Sequence, residues 1–256
     1  MFPKKIHQTW VDFNNRGSLS SNENRWIDTW KQKNPSYEYK LWTKQENDDL
    51  VANHYSDYKD SYDNYDREIK RVEFAKACYL HKYGGIYADV DFECLKSFDA
   101  LLDEHSDCEV ILGRMWTDNS DDAPECTKQI SSLDTSIAIS KPGSDFWLHY
   151  MNAMSSRTNR DYTKEYATGA IALNDSYASF FGKEKIIILP KENFFPLSWV
   201  SILRGDSNTR DIRNKERSGG GLTNQEKQDN FSNAYAVTYW NESWKSESKG
   251  DSFLPE

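Results

Sequence analysis

Stretches of strict alternation and stretches of helical spacing take turns along the chain. Residues 4–9 alternate as a first strand, with Trp10 at its end. Residues 13–20 are polar and glycine-containing, which predicts a loop. Ser20 with Glu23 three residues on forms a capping box, and Trp26, Ile27 and Trp30 mark the apolar face of a helix closed by Asn34-Pro35. Residues 37–42 alternate again, so strand, helix and strand predict a parallel pair joined by a right-handed crossover. Residues 43–66 are acidic and tyrosine-rich, as in short surface helices.

Further strands are expected at 110–112, 136–140 and 186–189, and a surface helix or turn at 95–102. Ser144 is placed to cap a helix whose apolar positions are Trp147, Tyr150, Met151 and Met154, and Thr168-Gly169 opens another near 170–181. Residues 117–124 read as an acidic loop. Residues 208–230, rich in charge, Asn and Gln and carrying SGGG at 218–221, predict a mobile loop or lid. Apolar alternation returns at 234–240. The expectation is one domain over 1–245 with a polar tail at 246–256, built as an α/β fold with a mostly parallel central sheet flanked by helices.

The stretch 68–93, EIKRVEFAKACYLHKYGGIYADVDFE, has the densest chemistry. It predicts a helix, a two-glycine turn and a buried strand ending in Asp89 and Asp91. In a strand, residues i and i+2 share a face, so both carboxylates enter one space while Val90 points back into the core. Paired like charges raise each other's pKa unless a cation lies between them, and hard oxygen donors favour Mg²⁺ or Mn²⁺. On the preceding helix Ile69, Val72, Tyr79, Leu80 and Tyr83 fall on an arc of roughly 120°, and Glu73 and Lys76 lie inside it. These two form either an ion pair that only holds the helix or part of a polar cleft; the Gly84-Gly85 turn into the aspartates favours the cleft. Ligands of α/β sheets bind beyond the carboxyl ends of the strands, where Trp10 and the Asp pair meet. Trp10 is as readily a core residue as a platform on these grounds. His7 and Gln8 point to opposite sides, so one of them faces the cleft.

Aromatic residues are 14% of the chain against 37% hydrophobic overall, so rings supply much of the core. The net charge of −9 argues against nucleic acid or anionic lipid as broad partners. Cys78, Cys94, Cys108 and Cys126 have no metal or redox spacing, which fits reduced thiols and a cytoplasmic setting. No apolar run follows Lys4 and Lys5, so no cleaved leader is expected, and no run approaches a membrane span. Any work at a membrane is expected from the aqueous side, peripherally at the inner face.

IHQTW (6–10), NPSYEYKLW (34–42), KYGGIYADVD (82–91), Thr168-Gly169 and AYAVTYWNESW (234–244) occur in the order seen in DXD-containing sugar transferases. The chain resembles the glycosyltransferase family 32 group, and more distantly the glucosylating domains of large clostridial toxins. The resemblance implies the GT-A (Rossmann-like) fold, a nucleotide-sugar donor with UDP expected ahead of GDP, Mn²⁺ or Mg²⁺, and retention of anomeric configuration. The implied reaction moves a hexose (galactose, glucose, mannose or N-acetylhexosamine) to a glycan or lipid-linked saccharide in surface or capsular polysaccharide synthesis. A toxin-like transferase acting on a protein and a non-catalytic nucleotide-sugar-binding relative are the alternatives.

Carried over by position, the resemblance makes Asp89 and Asp91 the metal ligands and sets Trp10 on the donor base, with Gln8 and Gly169 also on the donor and Tyr87 against ribose or phosphates. Glu73 stands for a family Asp that holds sugar hydroxyls and Lys76 for a family Arg. Asp134 is a second candidate carboxylate for the transition state. Relatives commonly read H-H-W near the C-terminus, where this chain has Thr238 and Tyr239. Asn241, Glu242 or Ser243 is therefore expected to complete the metal shell, with Trp244 packing on the diphosphate. A haloacid dehalogenase-type phosphatase also uses D-x-D, but there the motif ends the first strand, and here about 80 residues precede it.

Overall fold

A computed structural model of the protein describes residues 1–13, 15–116, 133–203 and 205–241. The acidic stretch at 117–124, Cys126, Glu242, Ser243, Trp244 and the tail at 246–256 lie outside the described residues.

The chain begins with β1 (Lys5–Thr9), α1 (Ser21–Lys33) and β2 (Glu38–Trp42). The Ser20–Glu23 capping box forms in both directions, and Trp26, Ile27 and Trp30 are buried. Strands β1 and β2 pair in parallel with Ile6 opposite Tyr39. Helices α2 (Lys44–His54) and α3 (Lys59–Asn64) follow. They are less superficial than expected, since Tyr62 and Tyr65 are buried around Phe74 and Tyr55 is buried against His81.

Helix α4 (Glu68–Lys82) leads into β3 (Gly85–Ala88). The two glycines between them have φ of +61° and +91°. A Cβ at Gly84 would sit 2.7 Å from Pro142 and one at Gly85 2.6 Å from the Lys5 carbonyl, so only glycine fits this turn. Burial of α4 is wider than one stripe. Everything from Val72 to Leu80 is inaccessible, because α4 packs against the sheet on one side and α2 and neighbouring helices on the other.

The remaining elements are β4 (Phe92–Cys94), α5 (Asp99–Glu104), β5 (Val110–Arg114), β6 (Leu133–Ser140), α6 (Asp145–Ser155), α7 (Lys164–Ala167), α8 (Ala170–Ser179), β7 (Ile186–Leu189), α9 (Lys191–Phe194), α10 (Trp199–Leu203), α11 (Ser207–Arg217), α12 (Asn224–Phe231) and β8 (Ala236–Thr238). Ser144 sits at the N-cap of α6 without making the expected side-chain bond. The main sheet runs β2-β1-β3-β6-β5-β7, and β6 alone is antiparallel to its neighbours. This is the mixed, mostly parallel α/β sheet the sequence predicts. A second sheet pairs β4 with β8 in antiparallel register. One apolar cluster gathers α4, α6 and α8 on one face; another gathers Trp30, Phe98, Leu101 and Phe194 on the opposite face.

The expected mobile loop at 208–230 is instead two helices. The Asp206 carboxylate accepts the Thr209 amide at 3.0 Å, and Thr223 with Glu226 forms a second reciprocal capping box. Glu216 is fully buried and anchors α11: it accepts Trp26 Nε1 at 3.0 Å and the Leu222 amide at 2.5 Å, and pairs with Arg25 at 2.6 Å. Composition suggests that this segment buries little, but the buried Glu216 carboxylate attaches it, together with Arg213, which donates to the Tyr239 and Trp240 carbonyls. Glu216→Ala leaves a buried indole N–H and a backbone amide unpaired, at about 1–3 kcal/mol each before relaxation. Urea unfolding is therefore expected to show a loss of about 2–4 kcal/mol; a loss below about 0.5 kcal/mol would contradict the anchoring role.

Candidate functional site

A cleft of about 1080 Å³, counted out to its open mouth, lies beyond the ends of β1 and β3. Trp10, Val11 and Phe13 form one wall; Glu73, Lys76, Asp134, Ser136 and Lys164 form a polar wall; Met115, Trp116, Trp199 and Trp240 form an aromatic one. Asp89, Val90 and Asp91 lie between them.

Strand β3 stops at Ala88, one residue before the acidic pair. Residues 89–92 form a tight turn closed by the Phe92 amide on the Asp89 carbonyl at 3.1 Å. Strand alternation therefore does not govern the pair, and Val90 lines the cleft instead of pointing into the core. The turn still delivers both carboxylates to one space. Its backbone is pinned by the Asp89 amide on Ser136 O at 2.8 Å and by Gln8 Nε2 on Asp89 O at 3.1 Å.

Asp89 Oδ1 accepts the Tyr87 hydroxyl at 2.7 Å and pairs with Lys76 Nζ at 2.9 Å. Oδ2 carries no hydrogen bond among the described residues, and the side chain keeps 34% of its surface exposed toward the cleft. Asp91 Oδ2 accepts the Asn241 amide at 2.8 Å. Burial first, and then the neighbouring Asp89 charge, push the Asp91 pKa up to about 7. Asp89 is also raised, by burial outweighing Lys76. Two hard carboxylates whose charge is under strain, one with an oxygen left to the cleft, suit Mg²⁺ or Mn²⁺. Among the described residues no group of three or more His, Cys, Asp or Glu side chains is placed to hold such an ion.

Glu73 and Lys76 do reach the cleft, as the helical arc suggested. Glu73 Oε1 pairs with Lys76 at 3.0 Å and Lys164 at 3.4 Å, and Oε2 accepts the Thr135 hydroxyl at 2.6 Å. Burial opposes its charge, yet the Lys164 and Lys76 ammoniums and Thr135 prevail and hold its pKa down at about 2. Glu73 is therefore an anion at any physiological pH. Asp134 lines the same wall, its Oδ1 accepting the Ser136 amide at 2.7 Å and the Ser136 hydroxyl.

Other expected site residues sit elsewhere. Trp10 lines the cleft. Gln8 is fully buried, accepts the Tyr39 hydroxyl at 2.9 Å and holds the Asp89 backbone from behind, so it does not face a donor. His7 is buried too, bonding the Gly84 carbonyl through Nε2 and accepting Trp42 Nε1; burial lowers its pKa to about 4, so it stays neutral. Neither of the two lines the cleft. Tyr87 is inaccessible and aims Asp89 rather than lying against ribose or phosphate. Gly169 is packed behind Lys164, where a Cβ would come within 3.4 Å of the Lys164 chain. Asn241 reaches Asp91 through its backbone, while its side-chain amide turns to Glu23 at 3.4 Å, not to the metal position. Ser243 and Trp244 fall outside the described residues.

Thr238 and Tyr239 occupy the positions where a histidine pair was expected. Thr238 lines the cleft and its hydroxyl accepts the Trp240 amide at 3.1 Å, while Tyr239 turns away, donating to Glu93 Oε2 at 2.7 Å. Lys164, Ser136, Trp116, Trp199 and Trp240 were not legible as site residues. Trp240 adopts φ of +52°, unusual for a bulky residue. Its amide donates to Thr238 Oγ1 at 3.1 Å, Nε1 donates to Leu197 O at 2.8 Å, and Arg213 donates to its carbonyl at 2.5 Å. These bonds hold the conformation that presents Asn241's amide to Asp91.

Residues 20–107 match the family model of the glycosyltransferase sugar-binding region containing DXD motif. Inositol phosphoceramide mannosyltransferase 3 of Schizosaccharomyces pombe is 36% identical over 105 residues, 39% of this chain and 27% of that protein. A mannosyl phosphorylinositol ceramide synthase of Saccharomyces cerevisiae is 31% identical over 102 residues, 40% of this chain and 26% of that one. The chain thus spans about a quarter of the length of these curated relatives. Among solved structures, PaToxG glycosyltransferase superposes with a TM-score of 0.52 over 92% of this chain and 89% of its own, at 14% identity, which speaks for the fold. The resemblance to DXD-containing sugar transferases is borne out, the fold is GT-A, and the relatives and the fold neighbour are glycosyltransferases.

Asp91 is protonated in the fold below about pH 7, whereas the unfolded chain ionises it near 3.8. Because its folded pKa is raised, its contribution to stability is fully present below 3.8 and is lost as pH rises toward 7; above that, its charge destabilises the fold. Asp91→Asn is expected to raise Tm by about 2–6 °C at pH 8 without divalent cation and to change it little at pH 4. Calorimetry showing a lower Tm at pH 8 would contradict the strained-carboxylate reading.

Proposed function

We propose that the chain is a retaining, metal-dependent glycosyltransferase that moves a hexose from a nucleoside diphosphate sugar to a hydroxyl of a glycan or lipid-linked acceptor. The observation that carries this is the pair Asp89 and Asp91, side by side at the head of a GT-A cleft and inside the segment that matches the DXD family region. Mannose is the first hexose to test, because the relatives are named as mannosyl-transferring proteins.

In the reaction the anomeric C–O bond breaks with its electron pair passing to the β-phosphate oxygen. The acceptor hydroxyl oxygen bonds to the anomeric carbon, and its proton passes to the leaving phosphate. Asp89 and Asp91 would hold a divalent cation, which would supply positive charge to the leaving diphosphate. Lys76 and Tyr87 fix Asp89, and the Asn241 amide fixes Asp91, so the acidic pair needs no rearrangement to act. Trp10 offers a ring for the donor base. Glu73, anionic and immobilised by two ammoniums and a hydroxyl, holds sugar hydroxyls and steadies the oxocarbenium-like transition state. The three donors that immobilise it suit a fixed charge better than a nucleophile, while Oε2, which accepts one hydroxyl, keeps acceptor capacity; this favours attack from the face the leaving group departs.

Purified protein incubated with UDP- and GDP-sugars singly, with Mn²⁺ or Mg²⁺, is expected to release nucleoside diphosphate and to glycosylate acceptors detectable by mass spectrometry. Asp89→Asn and Asp91→Asn are each expected to lower turnover by about 10³-fold or more, since both remove charge from the leaving-group site. Donor binding without turnover in the wild type would favour a binding module, and wild-type rates in both variants would contradict the assignment.

A further inference from the structure

Resting on that reading, the polar wall of the cleft is organised as a line of alternating charges: Lys164, Glu73, Lys76, Asp89. Successive members are 3.4, 3.0 and 2.9 Å apart. Lys76 is held between two acids, and one of them belongs to the acidic pair. Lys164 is at the far end, two side chains removed from Asp89, and keeps 11% of its surface exposed where Glu73 and Lys76 keep 3%. It lines the cleft together with Glu73 and Lys76.

Its placement is built. Thr163 caps α7, the Thr168 and Gly169 amides both donate to the Lys164 carbonyl at 2.9 Å, and Tyr150 donates to Thr168 O at 2.5 Å. Gly169 has no Cβ, and one there would lie 3.0 Å from Glu165 Cα and 3.2 Å from Lys164 O. A lysine anchored at its backbone and laid along a cleft wall costs conformational entropy, which an incidental surface lysine would not spend.

We propose that Lys164 is a specificity-determining residue for the donor: with Glu73 it grips adjacent hydroxyls of a neutral hexose, and it does not contact the diphosphate. A carboxylate only accepts and an ammonium only donates, whereas a hydroxyl does both, so the mixed pair satisfies vicinal hydroxyls in a way neither group does alone. The charges agree. Lys76 and Lys164 are matched by Glu73 and Asp134, with Asp89 a further acid on the same line, so a neutral sugar fits and a uronate would meet an excess of negative charge.

The test is calorimetric titration of the Mn²⁺-loaded protein with uridine and guanosine diphosphates and with the matching nucleotide hexoses. In the wild type the sugar is expected to tighten binding over the diphosphate alone. Lys164→Met is expected to weaken nucleotide-hexose binding about 10–100-fold, the loss of one charge-assisted hydrogen bond, while diphosphate binding stays within about twofold and reports an intact fold. Lys164→Arg, which keeps the charge, is expected to recover most of the loss; Lys164→Gln replaces the methionine variant should that one fail to bind diphosphate. Equal losses for both ligands, or none, would overturn the assignment. A wild type that binds diphosphate but gains nothing from the sugar overturns it while leaving the metal and diphosphate site standing. Binding of neither ligand overturns the parent reading of function as well.

Discussion

Two carboxylates forced into one small space are the constraint from which this molecule is organised. Asp89 and Asp91 stand on a four-residue turn, and nearly every element around them contributes something that holds the turn in place. Strand β1 sends Gln8, β6 the Ser136 carbonyl, α4 Lys76, and the segment after β8 the amide of Asn241. Most of these bonds go to backbone or to one oxygen of a carboxylate. The geometry of the pair is thus fixed while its excess negative charge is left for a ligand to relieve.

The same logic explains residues that look ill-suited to their surroundings. A glutamate with a pKa near 2 and two lysines lie buried in a helical core because each neutralises the next. Such a line is costly to bury and rigid once formed. Trp240 in a left-handed conformation is a second local cost, supported by Arg213 and Thr238, and it turns the chain so that the next amide meets Asp91. Strain and desolvation are concentrated around the cleft, and the apolar clusters on either face of the sheet carry them.

Much of this was readable before any coordinates. The Ser20–Glu23 box, the parallel β1–β2 pair and the Gly84-Gly85 turn are local rules, and local rules held. Helical periodicity alone leaves Glu73 and Lys76 open between an ion pair and a cleft, and the Gly84-Gly85 turn points to the cleft; the two residues line the cleft and form the ion pair as well. Val90 was misplaced because strand alternation was extended one residue past the last paired position. Gln8 and Tyr87 were assigned to the donor because residue type does not reveal whether a polar atom is already committed to the backbone or to a carboxylate. Residues 208–230 were read from composition, although Thr223 and Glu226 already spelled a helix start. Lys164 has no local signature at all: it becomes a cleft residue only through the packing of α7 against α4 and α8.

The central claim is that the turn between β3 and β4 holds a divalent cation that in turn holds a nucleoside diphosphate. Crystals grown with Mn²⁺ and either uridine or guanosine diphosphate, measured at a wavelength where manganese scatters anomalously, test it most directly. An anomalous peak within coordination distance of an Asp89 or Asp91 carboxylate oxygen, bridging to phosphate, is the predicted result. A diphosphate bound elsewhere, or manganese bound away from both aspartates, would contradict it.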